Sequence, residues 1–437
     1  MTGRGDWKNQ DRVPRFLIIC LLINVLLIPF FVRDASARVY IDISSPGFRE
    51  IPVAIYEFIG PSEGRRIADI VRDDLQFSGV FSFVDRDAYI ETPLPVFDSR
   101  NWLPLGVELV LKGSVTIDSD EVIVSVYLFD VVESRKILQK KYSARKRFVR
   151  ILAHSISDDI YKRVTGEDGV FRTKIAFIGE RNKRENIYLM DWDGKRLRNT
   201  GITGEHLLRP HWSADGAKIL YSAVRGKQWG VFMLDFRKRK ERLLFRSQGI
   251  NIAGDFLPDG TNFVFSSSIK GTPDLYLFDI NRKKRKRLTR WLGIEISPSL
   301  SPDGGKIAFV SDRAGTPQVY IMDIDGRNLR RVTHEGNYNT APVWSPRGDR
   351  IAYSGRINGK IQIFTVKLDG ADALQLTERG NNEEPSFSPN GRFIAFTSDR
   401  DGKKAIYIMR ANGEGKRRVT PKDMRAFGPS WSPNKIF

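Results

Sequence analysis

The chain repeats itself, and the length of the repeat leaves few folds open. A turn closed by glycine recurs at Gly216 (HWSADG), Gly260 (DFLPDG), Gly304 (SLSPDG), Gly348 (VWSPRG) and Gly391 (SFSPNG), and a sixth copy, SWSPNK, puts Lys435 in that place. The successive spacings are 44, 44, 44, 43 and 44 residues. A period near 44 with four short strands per unit is the signature of a β-propeller blade. In the unit that starts at Pro342 the strands read PVWS, RIAYSG, IQIFTVK and LQLT, here called A, B, C and D. Ile351 and Tyr353, then Ile361, Ile363 and Thr365, alternate as strands half buried between neighbouring blades do. Proline pre-sets φ at the first turn position, and Asp or Asn followed by Gly takes the left-handed angles that finish a tight hairpin.

B strands begin near Lys174, Lys218, Asn262, Lys306, Arg350 and Arg392, so the ring has six blades. The first B strand, TKIAFIG, has no A strand ahead of it, and the last A strand, PSWS at 429–432, has no B strand after it. Pairing these two leftovers closes the ring and removes exposed sheet edges. The fold expected is mainly β, a six-bladed propeller over 173–437 preceded by a small α/β domain.

That first domain occupies 38–165, with a linker at 166–172. RVYIDI, IPVAIYEF, FSFVD, VELVLKGSVTI, EVIVSVYLFDV and KILQKKYSA read as strands. EGRRIADIVRDDLQFSG reads as a helix with Ile67, Ile70, Val71 and Leu75 on one face and Gly79 after its last turn. A second helix places Phe148, Ile151, Leu152, Ile156, Ile160 and Val164 at helical spacing. Two helices on one mixed sheet is the expected shape.

The first 37 residues set the expected location. Lys8, Arg12 and Arg15 precede the apolar run FLIICLLINVLLIPFFV (16–32), and Ala35-Ser36-Ala37 supplies the small residues of a cleavage site. The segment reads as a secretory signal cut between Ala37 and Arg38, with an uncleaved membrane anchor as the alternative. Cys20, the one cysteine, lies inside it, so the mature chain would have no thiol for a disulfide or a Cys-ligated metal.

The formal net charge is +19, concentrated in RKRKER (237–242) and NRKKRKR (281–287), both in C-to-D connections. Such runs are ordinarily solvated turns, and otherwise mark anionic partners. Nucleic acid is not expected, because no groove-entering helix or aromatic platform accompanies the charge. No catalytic constellation emerges. The four histidines, His154, His206, His211 and His334, have no second histidine at ligand spacing. GPSWS (428–432) lacks the closing glycine of a nucleophile elbow and belongs to an A strand, and no phosphate-cradling glycine loop is present. Binding is therefore expected, with no catalytic residue, metal or cofactor.

A signal-like leader, a small α/β domain and six SPDG-type blades in that order resemble the TolB family, the periplasmic component of the Tol–Pal system of Gram-negative envelopes. The resemblance is most specific outside the repeats, in DDLQFSGVF (73–81), LVLKGSV (109–115), YLFDVVE (127–133) and AHSISDDIYKRVTGEDGVFRTKIAF (153–177). It implies a periplasmic adaptor that supports outer-membrane integrity and envelope constriction at division. Its implied partners are a Pal-like lipoprotein on the propeller, which gives peripheral association with the outer membrane, and a TolA-like inner-membrane protein on the N-terminal strand, with the chain itself a monomer. Carried onto this sequence, the TolA-type segment falls on Arg38, Val39, Tyr40, Ile41, Asp42 and Ile43. The family's usual start there is acidic and apolar, whereas this chain has Arg38.

Strand connectivity indicates where the second partner docks. D-to-A and B-to-C connections emerge on one propeller face, A-to-B and C-to-D turns on the other. The chain enters at a B strand, which places the first domain on the A-to-B side and leaves the opposite face free. Loops there are long and varied, as recognition loops on a rigid scaffold are. They supply the candidates Asn339, Thr340, Asn381, Asn382, Glu383 and Glu384 before A strands, and Asp312, Arg313, Asp399 and Arg400 between B and C. For Asp312 and Asp399 the competing reading is that each caps its own turn. An exported propeller of a hydrolase or peptidase assembly is the alternative function.

Overall fold

The computed structural model describes residues 49–434; the leader, the cleavage site at Ala37 and Arg38, and the segment 38–43 lie outside them. Strands β1 (Ile51–Ile55), β2 (Phe81–Phe83), β3 (Leu109–Asp118), β4 (Glu121–Asp130) and β5 (Arg135–Arg145) form one sheet in the order β2-β1-β3-β4-β5. β1 runs parallel to both β2 and β3, while β3, β4 and β5 are antiparallel hairpin neighbours. Parallel neighbours need a crossover, and the crossover from β1 to β2 is helix α1 (Ser62–Ser78). Ile67, Val71 and Leu75 are fully buried on its inner face, and Gly79 at φ 70° ends it, as its spacing anticipated.

Helix α2 (Val149–Thr165) lies beside α1 and buries Val149, Leu152, Ala153, Ile156, Ile160 and Tyr161. Here one expectation fails. Phe148 is 40% exposed, because Lys146–Phe148 winds as a 3-10 turn that takes it off the helical stripe. The sheet's other face is covered by the irregular stretch 84–108, whose Trp102 packs with Tyr56, Val107, Val110 and Phe129. Lys112 is buried there, its ammonium donating to Glu91 at 2.6 Å and to the Thr92 and Val96 carbonyls. Full satisfaction of its donors is what makes a buried lysine tolerable.

The propeller is six four-stranded antiparallel sheets. Blade 1 combines an A strand from the end of the chain (Arg425–Trp431) with B, C and D strands Lys174–Arg181, Arg184–Asp191 and Arg198–Gly204. Its closing register sets Phe427 opposite Ile178 and Trp431 opposite Ile175. The Trp431 indole N–H donates to Thr173 at 2.7 Å, and Ser432 and Lys174 exchange bonds of 2.8 and 2.9 Å. Ring closure by both ends of the domain is thus as the repeat count required.

The other A strands are Leu207–Trp212, Asn251–Phe256, Glu295–Leu300, Asn339–Trp344 and Asn382–Phe387 in blades 2 to 6. All six A strands shift register against their B strands midway. Five of them carry proline at that point, at Pro210, Pro298, Pro342, Pro385 and Pro429. The A strand is the inner edge of its sheet, so an N–H there has no ladder partner to lose, and edges and bulges are where strands accept proline.

The C-to-D turns fall into two kinds. Blades 1, 4, 5 and 6 use Asp193-Gly194, Asp325-Gly326, Asp369-Gly370 and Asn412-Gly413, each glycine at φ between 87° and 95°. Blades 2 and 3 close with a shorter turn whose left-handed position holds Arg239 (φ 50°) or Lys283 (φ 53°). For a side chain with a Cβ that conformation costs about 1 kcal/mol or more, and glycine would avoid it.

The first domain and the linker that follows it rest on the A-to-B and C-to-D turns of blades 1, 5 and 6. Phe77 stacks on Phe393 at 5.4 Å and meets Trp192 at a tilt at 5.1 Å, and the Arg417 guanidinium covers it at 4.4 Å. Glu167 receives Arg347 at 2.7 Å and Arg392 at 2.5 and 2.8 Å. Burial opposes the charged form of Glu167, yet these two guanidiniums hold its carboxyl below the usual range. One apolar core runs from α1 and α2 through Phe171 into Phe177, Ile406 and Trp431.

Candidate partner-binding face

The repeat register builds the channel ring by ring. Five residues before each turn position stand His211, Asp255, Ser299, Val343, Ser386 and Ser430. His211 Nδ1 lies 2.8 Å from Asp255 Oδ1, and the other oxygen of Asp255 accepts from Ser299 Oγ (3.0 Å) and the Leu300 N–H (2.9 Å). Ser299 Oγ accepts the Trp344 N–H at 3.2 Å, and Ser386 Oγ the Trp431 N–H at 2.9 Å. Residues one repeat apart thus bond across the channel wall. Burial pushes the His211 imidazole below its ordinary value against the pull of Asp255. Asp255 is penalised by the same burial, but the His211 bond, the Leu300 N–H and Arg209 hold its carboxyl low. Sequence reading passed over this pair, although equal offsets from Gly216 and Gly260 place both residues on one ring.

Two residues nearer the free face stand Arg209, Ala253, Ser297, Ala341, Glu384 and Gly428. Arg209 donates to the Pro385 carbonyl at 3.1 Å. Glu384 accepts from Thr397 Oγ1 at 2.9 Å and the Gly428 N–H at 2.8 Å, and burial raises its carboxyl above the usual range. A channel cavity of about 290 Å³ is lined by Arg209, His211, Asp255, Trp344 and Trp431.

The candidates from the sequence occupy three environments. Asn339 and Asn382 are 3% and 0% exposed. Each amide donates at 2.8 Å to a buried glutamine, Gln318 or Gln362, which also accepts from Thr333 or Thr377. This clasp ties the start of an A strand to the preceding blade, so neither asparagine presents its side chain outward. Asp312 accepts from the Trp291 indole at 2.9 Å and the Ile294 N–H at 3.0 Å. Asp399 takes both the N–H and the amide of Asn381, at 2.6 and 2.9 Å. Burial works against the Asp399 carboxylate, and the Asn381 bonds outweigh it and hold the group below its usual range. These aspartates therefore brace the loops that precede the A strands.

Arg313 and Arg400 are half-buried spacers. Arg313 lies 5.3 Å over Trp291 and 5.2 Å over Tyr320, and Arg400 lies 4.6 Å over Tyr407 while bonding Asn382 at 2.8 Å. Thr340, Asn381 and Glu383 are part-exposed on the loops themselves, with Glu383 paired to Lys404. The exposed loop residues next to them, His334, Glu335 and Asn337, complete a polar surface around blades 5 and 6.

Among the described residues one metal-ligating group stands out: His154, Asp191 and Asp193 bring ligand atoms within 4.8 Å of one another. Lys174 and Arg196 hold Asp191 at 2.8 and 2.6 Å, Arg150 pairs with Asp193, and Asp74 takes His154 Nδ1 at 2.7 Å. The group is thereby charge-compensated, at the seam between α2 and blade 1. The segment 38–43 lies outside the described residues. No helix among the described residues is long and apolar enough to cross a membrane.

Comparison with known proteins agrees with this architecture. Residues 39–137 match the TolB amino-terminal domain and residues 161–435 the TolB beta propeller domain. The Tol-Pal system protein TolB of Polaromonas naphthalenivorans is 32% identical over 226 residues, covering 51% of this chain and 53% of that one. The protein of the same name from Desulfosudis oleivorans is 33% identical over 255 residues, covering 54% and 57%. The chain thus spans about half the length of the curated relatives it matches. The crystal structure of TolB from Acinetobacter baumannii superimposes with a TM-score of 0.81 at 25% identity, over 88% of this chain and 97% of that one. With the propeller model alone covering more than half of its residues, the chain belongs to the TolB family.

Proposed function

We propose that the protein is a periplasmic adaptor of the Tol–Pal system. A Pal-like lipoprotein docks on the propeller face opposite the first domain, and a TolA-like protein pairs with residues 38–43. Through these contacts the adaptor supports outer-membrane integrity and constriction at division. The observation that carries the reading is the one-sided seating of the first domain. The bond from Arg410 to the Phe77 carbonyl, together with the linker's bonds to Arg347, Asn390 and Arg392, occupies the A-to-B and C-to-D side. The loops around Thr340, Asn381 and Glu383 stay free for a partner, braced from below by Asp312, Arg313, Asp399 and Arg400.

The N-terminal segment acts by a different mode. Val39, Ile41 and Ile43 alternate with Tyr40 and Asp42, a pattern that suits strand addition to a partner's sheet through backbone bonds. Calorimetry of the mature protein and a variant lacking 38–43, against Pal-type and TolA-type domains, tests both ends. Loss of TolA-type binding with Pal-type binding changed by only about 1–3 kcal/mol, the usual size of a coupling term, is expected. Undiminished TolA-type binding by the truncated protein would overturn the assignment.

A further inference from the structure

The two C-to-D turns that depart from the Asp/Asn-Gly pattern also carry the densest positive charge. Residues 237–240 and 282–286 are exposed cations throughout. Arg237 pairs with Asp215, Arg282 with Asp279 and Arg287 with Asp274. Among the described residues no carboxylate forms an ion pair with Lys238, Arg239, Lys240, Lys283, Lys284, Arg285 or Lys286. The two runs are neighbours in space. The Arg285 guanidinium lies 5.6 Å over the Phe245 ring of the adjacent blade. Arg242 stands opposite Met233 and Arg285 opposite Phe278 in their sheets, and Met233 and Phe278 share the core between blades 2 and 3. Cations from both D strands therefore line one groove at the outer rim.

Folding does not require this charge. Four sister turns place an Asp/Asn-Gly pair at the tip, with a second left-handed residue (Arg196, Asn328, Asp372 or Gly415) just beyond it, whereas the shorter turns here have a single left-handed position, held by Arg239 or Lys283. Blades 4 to 6 thus close without a cation at a left-handed position. Nor does the first domain use it, since no hydrogen bond, ion pair or ring contact among the described residues joins that domain to blades 2 or 3.

We propose that the rim of blades 2 and 3 is a docking surface for anionic phospholipid headgroups. The cations spread over two turns and two strands instead of converging on one pocket, which suits a planar array of charges rather than a single bound anion. Cations near an anionic leaflet are attracted individually, and the attraction falls off within a Debye length. Neither run carries a helix that could enter a DNA groove. This surface is separate from the face proposed for the lipoprotein-type partner, so the two contacts are compatible.

Vesicle sedimentation of the purified protein provides the test. Vesicles of phosphatidylcholine alone are compared with vesicles containing about 30 mol% phosphatidylglycerol, at about 50 and about 300 mM salt. Binding only to the anionic vesicles, at least tenfold weaker at the higher salt, is expected. A variant with Lys238→Ser, Arg239→Gly, Lys283→Gly and Lys284→Ser should lose at least tenfold in binding. Its thermal midpoint should stay equal or rise, because two left-handed side chains are removed. Equal binding by the four-site variant, equal binding to neutral vesicles, or preference for duplex DNA or an acidic polypeptide over anionic vesicles would each overturn the proposal.

Discussion

Trp431→Ala probes ring closure where the first and last strands of the propeller meet. The indole is 5% exposed, stacks on Phe393 with centroids 6.2 Å apart, and donates to Thr173 at 2.7 Å. Truncating a buried tryptophan to alanine costs about 3–5 kcal/mol through lost transfer energy and the cavity left behind. Trp431→Phe keeps a ring in the slot and forfeits the Thr173 bond, worth about 1 kcal/mol, plus part of the packing. The expected order of stability is wild type, then Phe, then Ala, with the larger step at alanine. Leu292→Ala is the control. Its side chain is 90% exposed on a loop, so the cost should stay under about 0.5 kcal/mol. Urea unfolding followed by far-ultraviolet circular dichroism reads all three, since the signal does not depend on the tryptophan removed. If Trp431→Ala unfolds at the wild-type midpoint, the A strand from the chain's end is not what seals the ring.

Other consequences follow from the same geometry. Asp255→Ala leaves His211, Ser299 and the Leu300 N–H without their shared acceptor and should cost about 3 kcal/mol, read by the same urea midpoint, with Asp255→Asn costing less. Glu167 has its carboxyl held low in the fold, so its contribution is full above the unfolded carboxylate range and lost as pH falls through the depressed folded value. Glu167→Gln should therefore flatten the decline of the thermal midpoint between about pH 5 and pH 2. Intact mass of the exported protein should correspond to a start at Arg38, because Ala35 and Ala37 supply the small residues that signal peptidase needs. A mass retaining Cys20 would refute cleavage.

The propeller was legible because its information is periodic. Turn glycines at fixed spacing determine strand, blade number and closure together, and one register slip would have put every side chain on the wrong face. The channel pair His211–Asp255 was equally periodic, but each residue is ordinary in its own repeat, and only alignment by offset from the turn brings them together. Asn339 and Asn382 misled for a physical reason. Polar residues in a loop before a strand look like recognition groups, while the same amide is what a blade junction needs to satisfy a buried glutamine. Phe148 was misplaced because helical spacing does not show where a 3-10 turn hands over to the helix. The seam joins Phe77 of helix α1 and Glu167 of the linker to Trp192 in blade 1 and Phe393 in blade 6, residues far apart in the chain, and was not readable from any local pattern.

The most direct measurement is calorimetric titration of a Pal-type periplasmic domain into variants of the two propeller faces. Asn337→Arg with Asn381→Arg places bulky charge on the free loops of blades 5 and 6, whereas Arg347→Ala alters the side that faces the first domain. A partner on the free face should bind the first variant at least tenfold more weakly, about 1.4 kcal/mol, and the second with wild-type affinity. Unchanged binding by the loop variant together with lost binding by Arg347→Ala would contradict the assignment of the partner face.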